Sequence, residues 1–207
     1  MSHPVYLVSM GPGHEDYISP CAWEAINHAD LLVGARRWLQ VVAHLKKPQA
    51  LLGGSLDEVI NLIKSERQDK KIAVLLSGDA GLYSLLPRLR DALGADALEV
   101  IPGISSVQLA FARLKLNWER ACVLSLHGRS FDGLAQEMAG AAVTALLSDA
   151  QHPPACVAEY LRKMELIPQA IYVCQHLSYA DERIVKTDLE GLAQVEAGDN
   201  FLLILEF

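Results

Sequence analysis

The sequence of 207 residues lacks the marks of several protein classes. No apolar run approaches the length of a membrane-spanning helix, and the first residues, Met1-Ser2-His3-Pro4, do not resemble a signal peptide. Basic residues are fewer than acidic ones, 18 against 25, and the formal net charge of −7 argues against broad nucleic-acid binding. We therefore expect a cytoplasmic enzyme or small-molecule-binding protein with no membrane or nucleic-acid partner.

Cysteine is scarce and scattered. The four cysteines are Cys21, Cys122, Cys156 and Cys174. They include no Cys-x-x-Cys pair, so the sequence indicates neither a zinc site nor a disulfide framework. Their apolar surroundings predict small buried side chains. No other metal-ligand spacing is present, and we predict no protein-bound metal.

What the chain does contain is a regular alternation of apolar runs and helical patterns. In the first half, runs at 5–10, 31–33, 72–76 and 98–101 are separated by helical segments, a pattern that predicts a parallel sheet with helices on its faces. Near the C-terminus strands follow one another directly, which predicts a mixed sheet with antiparallel pairs. The predicted fold class is α/β, with two α/β domains at 1–115 and 116–207 and a cleft between them.

Three glycine-containing turns follow apolar strands of the first half. They are Gly11-Pro12-Gly13, Ser77-Gly78-Asp79 and Pro102-Gly103-Ile104-Ser105-Ser106. Ligands of open α/β sheets bind at the carboxyl ends of strands, so we expect the three turns to meet at one edge. Asp79 is placed either to cap a helix predicted at 82–93 or to accept hydrogen bonds from a ligand, and the two serines are equally suited to capping.

The known nucleotide motifs fit poorly. The first turn lacks the third glycine of the dinucleotide fingerprint, because Asp16 stands there, and no P-loop is present. The two arginines in Gly34-Ala35-Arg36-Arg37 are nevertheless suited to a 2′-phosphate. An NADP-dependent oxidoreductase and a ligand-binding module without turnover therefore remain alternatives.

Taken in order, several motifs resemble those of the tetrapyrrole (corrin and porphyrin) methyltransferases. They are residues 8–13, 29–34, 77–81 and 101–106. Residues 34–37, 81–84, 105–110, 125–129 and 181–184 resemble the branch of that family that methylates C5 in cobalamin synthesis. The resemblance extends over nearly the whole chain.

The resemblance implies the tetrapyrrole methylase fold, usually in a homodimer, with S-adenosyl-L-methionine bound between the two domains and S-adenosyl-L-homocysteine as product. The implied cofactor-binding residues are Gly11, Pro12, Gly13, Gly78, Asp79, Leu82, Ser105, Ser106, Leu126 and His127. Relatives that methylate uroporphyrinogen carry a tyrosine–aspartate pair where this chain has Gly34 and Ala35. The acid–base role proposed for that aspartate therefore does not transfer.

A corrinoid substrate bears several carboxylates and needs local positive charge. Arg36, Arg37 and Arg129 are the predicted substrate-binding residues, and any cobalt arrives inside the substrate. Asp79 and His127 are the candidates for acid–base catalysis. The implied reaction is methylation of C5 of cobalt-precorrin-7, with precorrin-6Y in the aerobic route as the alternative. The end of the chain after residue 207 favours the stand-alone enzyme of the cobalt-early route.

Overall fold

The computed structural model describes residues 2–207, and its contacts form two compact units, Met1–Ser105 and Ser106–Phe207. The division falls before the helix Ser106–Leu114, whereas the sequence places the domain boundary after it. The boundary at 115/116 stays a prediction. No helix within residues 2–207 is both long and apolar enough to cross a membrane.

The first unit is a parallel sheet of five strands with helices between successive strands. Its strands and helices are β1 (Val5–Ser9), α1 (Pro20–His28), β2 (Leu31–Gly34), α2 (Arg36–Val41), β3 (Gln49–Leu51), α3 (Leu56–Glu66), β4 (Ile72–Leu76), α4 (Leu86–Leu93) and β5 (Leu98–Ile101). Short 3-10 helices cover Glu15–Tyr17, Ala43–Leu45 and Ala95–Ala97. The strand order is β3-β2-β4-β1-β5, and every neighbouring pair is parallel, as predicted.

Helices cover both faces of this sheet because the chain changes direction across it. The connections to β2 and β3 run one way and those to β4 and β5 run back, and right-handed crossovers therefore place α1 and α2 on one face and α3 and α4 on the other. Alternate residues of β4 contact the two layers. Ala73 and Leu75 belong to the apolar cluster with α1 and α2, while Ile72, Val74 and Leu76 belong to the cluster with α3 and α4.

The second unit is a mixed sheet. Its elements are α5 (Ser106–Leu114), β6 (Cys122–Ser125), α6 (Leu134–Met138), β7 (Val143–Asp149), α7 (Pro154–Lys163), β8 (Ala170–Gln175), β9 (Arg183–Thr187), α8 (Leu189–Leu192) and β10 (Asn200–Glu206). The strand order is β6-β7-β10-β8-β9, in which β6 and β7 are parallel and the other pairs antiparallel. Helices α6, α7 and α8 share one apolar cluster with the sheet, and α5 contacts β10.

The expectation of four buried cysteines is confirmed only for Cys174. Cys21 and Cys156 are exposed, Cys122 is half-buried, and only Cys174 is buried. Cys21 and Cys156 lie in the first turns of α1 and α7, on the sides of these helices that face away from the sheet. Burial raises the pKa of the Cys174 thiol to about 12, and the nearby negative charge of Glu182 adds to this.

One buried polar group in the second unit has no partner. Thr144 of β7 is fully buried, and within residues 2–207 its hydroxyl is the one buried side-chain oxygen or nitrogen without a hydrogen bond. The side chain lies on the face of the sheet that carries Leu146. An unsatisfied buried hydroxyl costs about 1–3 kcal/mol.

Thr144→Val replaces this hydroxyl with a methyl group of similar size, and we expect the free energy of unfolding to stay level or rise by about 1 kcal/mol. Urea denaturation measures the change. Thr144→Ser keeps the hydroxyl and removes the methyl group, so this control should lower stability. A clear loss of stability in Thr144→Val would show that the hydroxyl has a partner after all.

Candidate functional site

Three turns meet where β1, β4 and β5 end, as the sequence predicted. Gly11 and Gly78 form an isolated antiparallel bridge, with the Gly78 N–H donating to the Gly11 carbonyl at 2.8 Å and the Gly11 N–H to the Gly78 carbonyl at 3.2 Å. Both glycines have positive φ angles, +78° and +66°, which side chains rarely adopt. The first two turns are therefore joined backbone to backbone.

The third turn approaches the first two just as closely. A Cβ atom added at Gly103 would lie 2.5 Å from Cβ of Ser9 and 3.4 Å from the Gly78 carbonyl oxygen. Ser9 is fully buried, and its hydroxyl accepts a 2.8 Å hydrogen bond from the backbone N–H of Ala80. Only glycine fits at position 103, since the neighbouring atoms belong to the buried end of β1 and to another backbone.

Asp79 links the second turn to the third. One carboxylate oxygen accepts the Gly81 N–H at 2.7 Å, and the other accepts the Gly103 N–H at 2.9 Å. The expectation that Asp79 caps a helix at 82–93 is wrong, because α4 begins only at Leu86 and Leu85 is its N-cap residue. The carboxylate instead fixes the distance between two loops.

The remaining predicted cofactor-binding residues of the first unit lie in or beside the same turns. Pro12 and Leu82 are half-buried, and Gly13 and Ser105 are buried. Two large apolar side chains of these turns stay exposed, Tyr83 at 42% and Ile104 at 41%. Exposed apolar side chains beside backbone groups suit a ligand with flat, apolar parts.

Arg37, one of the predicted substrate-binding arginines of the first unit, contacts this edge through Ser77. Arg36 and Arg37 open α2, directly after β2, the neighbour of β4 in the sheet. The Arg37 Nη2 donates to the Ser77 Oγ at 2.6 Å, and the indole Nε1 of Trp38 donates to the same oxygen at 2.9 Å. The sequence analysis missed Ser77 and Trp38 as members of this group, because the pairing of β2 with β4 is not visible in the chain order.

The second unit contains the other predicted residues. Ser106 is the first residue of α5. Leu126 is 1% exposed and belongs to the apolar core, so only its backbone is available to a ligand. Arg129 donates its backbone N–H to the Leu126 carbonyl at 2.9 Å, which shapes the turn after β6.

His127 lies beside a buried carboxylate that sequence reasoning missed. Its Nδ1 is 3.6 Å from an Asp149 oxygen, and its side chain is 68% exposed against 11% for Asp149. Asp149 also accepts hydrogen bonds from the Gly128 N–H at 3.2 Å, the Gln151 N–H at 3.0 Å and the ring of His152 at 2.9 Å. It ends β7 next to the end of β6, so it fixes the turn that carries His127.

Burial alone would raise the pKa of Asp149. The hydrogen bonds from His152, Gly128 and Gln151 outweigh burial and hold the pKa of this carboxyl below its usual value. Glu182, between β8 and β9, behaves in the same way. Burial opposes ionisation there, but the ion pair with Arg113 at 2.6 Å and the Ser178 N–H keep its pKa low.

The geometry fits a sulfonium nucleoside better than a dinucleotide. In a dinucleotide fold the glycine-rich turn runs directly into a helix whose N-terminus meets the pyrophosphate. Here the acidic 3-10 helix Glu15–Tyr17 follows the first turn, and α1 begins only at Pro20. Strand β4 also separates β1 from β2. What the turns offer is a glycine-lined backbone edge with one carboxylate, which suits a cationic, partly apolar ligand.

Comparison with known proteins gives a consistent result. Residues 4–193 match the family of tetrapyrrole (corrin/porphyrin) methylases. A cobalt-precorrin-7 C(5)-methyltransferase from Salmonella typhimurium is 33% identical over 180 residues, 86% of this chain and 87% of that protein. A probable cobalt-precorrin-7 C(5)-methyltransferase from Methanocaldococcus jannaschii is 38% identical over 129 residues, 60% of this chain and 61% of that protein.

Solved structures share the fold. A precorrin-6Y methylase from Archaeoglobus fulgidus matches with a TM-score of 0.76 and 22% identity over 99% of both chains. A uroporphyrin-III C-methyltransferase from Thermus thermophilus, solved in complex with S-adenosylhomocysteine, matches with a TM-score of 0.81 and 20% identity over 98% of this chain and 97% of that one.

The chain belongs to the tetrapyrrole (corrin/porphyrin) methylases. It is an S-adenosylmethionine-dependent C-methyltransferase of cobalamin biosynthesis, which confirms the fold, the family and the enzyme class predicted from the sequence. Within residues 2–207 no three His, Cys, Asp or Glu side chains are grouped as metal ligands would be. The absence of a protein-bound metal stays a prediction.

Gly103→Ala tests the close approach of the turns. The added methyl group would collide with Ser9, move the third turn and stretch its bond to Asp79. We expect a loss of about 1–3 kcal/mol in unfolding free energy and weaker binding of S-adenosylhomocysteine by calorimetry. Gly53→Ala is the matched control, since its added Cβ would meet only Leu51, at 3.4 Å. Wild-type stability and affinity in Gly103→Ala would contradict the described packing.

Asp149→Asn tests the carboxylate of the second unit. A carboxyl whose folded pKa is depressed stabilises the fold above its unfolded pKa of about 3.9 and loses this effect as pH falls through the folded value. We expect the variant to be less stable by about 1–3 kcal/mol at pH 7, with the difference narrowing below about pH 4.

Urea denaturation at several pH values measures this difference. Asp199→Asn removes the same charge from an exposed residue and serves as the control. If the difference in unfolding free energy between Asp149→Asn and wild type is the same at all pH values, the charge of the carboxylate does not contribute to stability.

Proposed function

We propose that this enzyme methylates C5 of cobalt-precorrin-7, using S-adenosyl-L-methionine as methyl donor. The observation that supports the proposal most strongly is the 33% identity to a cobalt-precorrin-7 C(5)-methyltransferase over 86% of the chain. The motifs that resemble the C5-methylating branch lie in both units. Precorrin-6Y is the second candidate substrate, because a precorrin-6Y methylase shares the fold over 99% of the chain.

The cofactor contacts of the first unit are assigned to the three turns. The backbone of Gly13, the second lone pairs of the Gly11 and Gly78 carbonyls and the side chains of Leu82 and Tyr83 are assigned the polar and apolar contacts on one edge. Asp79 accepts one N–H on each carboxylate oxygen, so each oxygen keeps a lone pair for a ligand donor. In the second unit Ser106, His127 and the backbone of Leu126 are assigned to the same cofactor.

Methyl transfer requires the protein mainly to align the substrate with the methyl donor. The cofactor supplies an electrophilic methyl group, so the chain has to hold the substrate carbon in line with it and keep water away. Orientation of two reactants is worth roughly 7–11 kcal/mol of barrier. A rigid edge of three interlocked turns performs this task, and a nucleophilic side chain is not required.

The substrate brings several carboxylates to a protein with a net charge of −7. Arg36, Arg37 and Arg129 are assigned to them. Asp79 and His127 remain candidates for acid–base catalysis. We further propose that the enzyme works as a homodimer in the cytoplasm, with a corrinoid as its small-molecule partner.

An assay with purified corrin intermediates tests the function. With labelled S-adenosylmethionine we expect label on cobalt-precorrin-7 and a new methyl resonance on C5 by NMR. S-adenosylhomocysteine should bind with micromolar affinity and raise the melting temperature, whereas NADP should not. Label at another ring position would refute the C5 assignment. Turnover of precorrin-6Y alone would place the enzyme in the other route.

A further inference from the structure

The hydroxyl of Ser77 accepts two hydrogen bonds, from Arg37 at 2.6 Å and from Trp38 at 2.9 Å. Guanidinium and indole N–H groups only donate, so each bond occupies a lone pair of the Ser77 oxygen. A serine oxygen has two lone pairs, and both are therefore in use. What remains is the hydroxyl proton, which no acceptor takes within residues 2–207.

The positions of Ser77 and Arg37 are fixed by the buried side chain of Trp38. Trp38 is 1% exposed and lies in the apolar cluster of α1 and α2. The Arg37 guanidinium carbon lies 4.7 Å from the centre of the Trp38 ring, so the side chain is held against the ring as well as by Ser77. An arginine that is already immobilised loses little entropy when a ligand binds it.

The charge of the group is uncompensated. Neither Arg36 nor Arg37 forms an ion pair with a carboxylate in the described part of the chain. Both are exposed, and so is Ser77. Ser77 immediately precedes Gly78, so its free donor lies on the same edge as the three turns. A free O–H beside a fixed guanidinium suits an anionic acceptor with two oxygens.

We propose that Ser77 and Arg37 form a carboxylate-binding subsite. The Ser77 O–H donates to one oxygen of the carboxylate and Arg37 donates to the other, while Arg36 adds positive charge. The proposal rests on the proposed function, which supplies two carboxylate sources. One is a peripheral carboxylate of the corrinoid, and the other is the amino-acid carboxylate of the methyl donor.

Binding measurements distinguish these sources without turnover. The probes are cobyrinic acid, a cobalt corrin with free carboxylates, its heptamethyl ester, S-adenosylhomocysteine, and 5′-methylthioadenosine, which lacks the amino-acid part. If the corrinoid is the source, Ser77→Ala and Arg37→Gln each weaken the binding of cobyrinic acid by about 10-fold or more and leave the affinity for its heptamethyl ester unchanged. If the methyl donor is the source, the two variants weaken the binding of S-adenosylhomocysteine and leave the affinity for 5′-methylthioadenosine unchanged.

Two further variants complete the test. Because Ser77 and Arg37 bind the same carboxylate, the loss of affinity in the double variant should be no greater than about the larger of the two single losses. Arg88→Gln removes the same charge from α4, on the opposite face of the sheet, and should bind every probe as wild type does. Wild-type affinity of Ser77→Ala and Arg37→Gln for both carboxylate probes, or equal weakening by Arg88→Gln, would overturn the subsite.

The experiments distinguish failure of the subsite from failure of the proposed function. Methylation of cobalt-precorrin-7 by the wild-type enzyme tests the function alone. If the wild-type enzyme methylates this substrate while all variants bind the probes unchanged, only the subsite fails. Near-ultraviolet circular dichroism and Trp fluorescence of each variant establish that the fold is retained.

Discussion

The position of β1 between β4 and β5 imposes the constraint on which the first unit depends. Because β1 lies between β4 and β5, the turn that leaves it must share one edge with the turns that leave both neighbours. Three backbones then meet at this edge, where a side chain at position 103 would collide with Ser9, and where Gly11 and Gly78 adopt the positive φ angles of their bridge. Asp79 completes the arrangement by accepting an N–H from two of the turns. The meeting of the three turns at one edge is thus a direct product of the strand order.

A rigid backbone edge is well matched to methyl transfer from a sulfonium. The reactive group is already electrophilic, so the enzyme gains most from orientation and least from a general acid or a nucleophile. Asp79 illustrates this division of labour. Its carboxylate positions two loops, and it is therefore a structural anchor of the site before it is a candidate for any chemical step.

Much of the fold is readable from the sequence, because strand and helix patterns are local. The parallel sheet, the mixed sheet and the three turns follow from apolar runs and glycines. The start of α4 was predicted too early, although Pro87 in its first turn marks a helix start and disfavours a helix interior. The exposure of Cys21 and Cys156 depends on helix orientation. The bonds from Arg37 and Trp38 to Ser77 depend on β2 pairing with β4, and a sequence does not display strand order.

The distribution of paired charge explains how an acidic protein can recognise an anion. Asp149 and Glu182, two hydrogen-bonded carboxylates of the second unit, are neutralised locally by backbone N–H groups, His152 and Arg113. They therefore contribute to holding turns together and little to a field at the surface. Arg36 and Arg37 have no such carboxylate. Because the Debye length in physiological salt is only about 8 Å, these two nearby cations outweigh a net charge spread over the whole surface. The proposed carboxylate-binding subsite therefore depends on local pairing and not on the overall charge of −7.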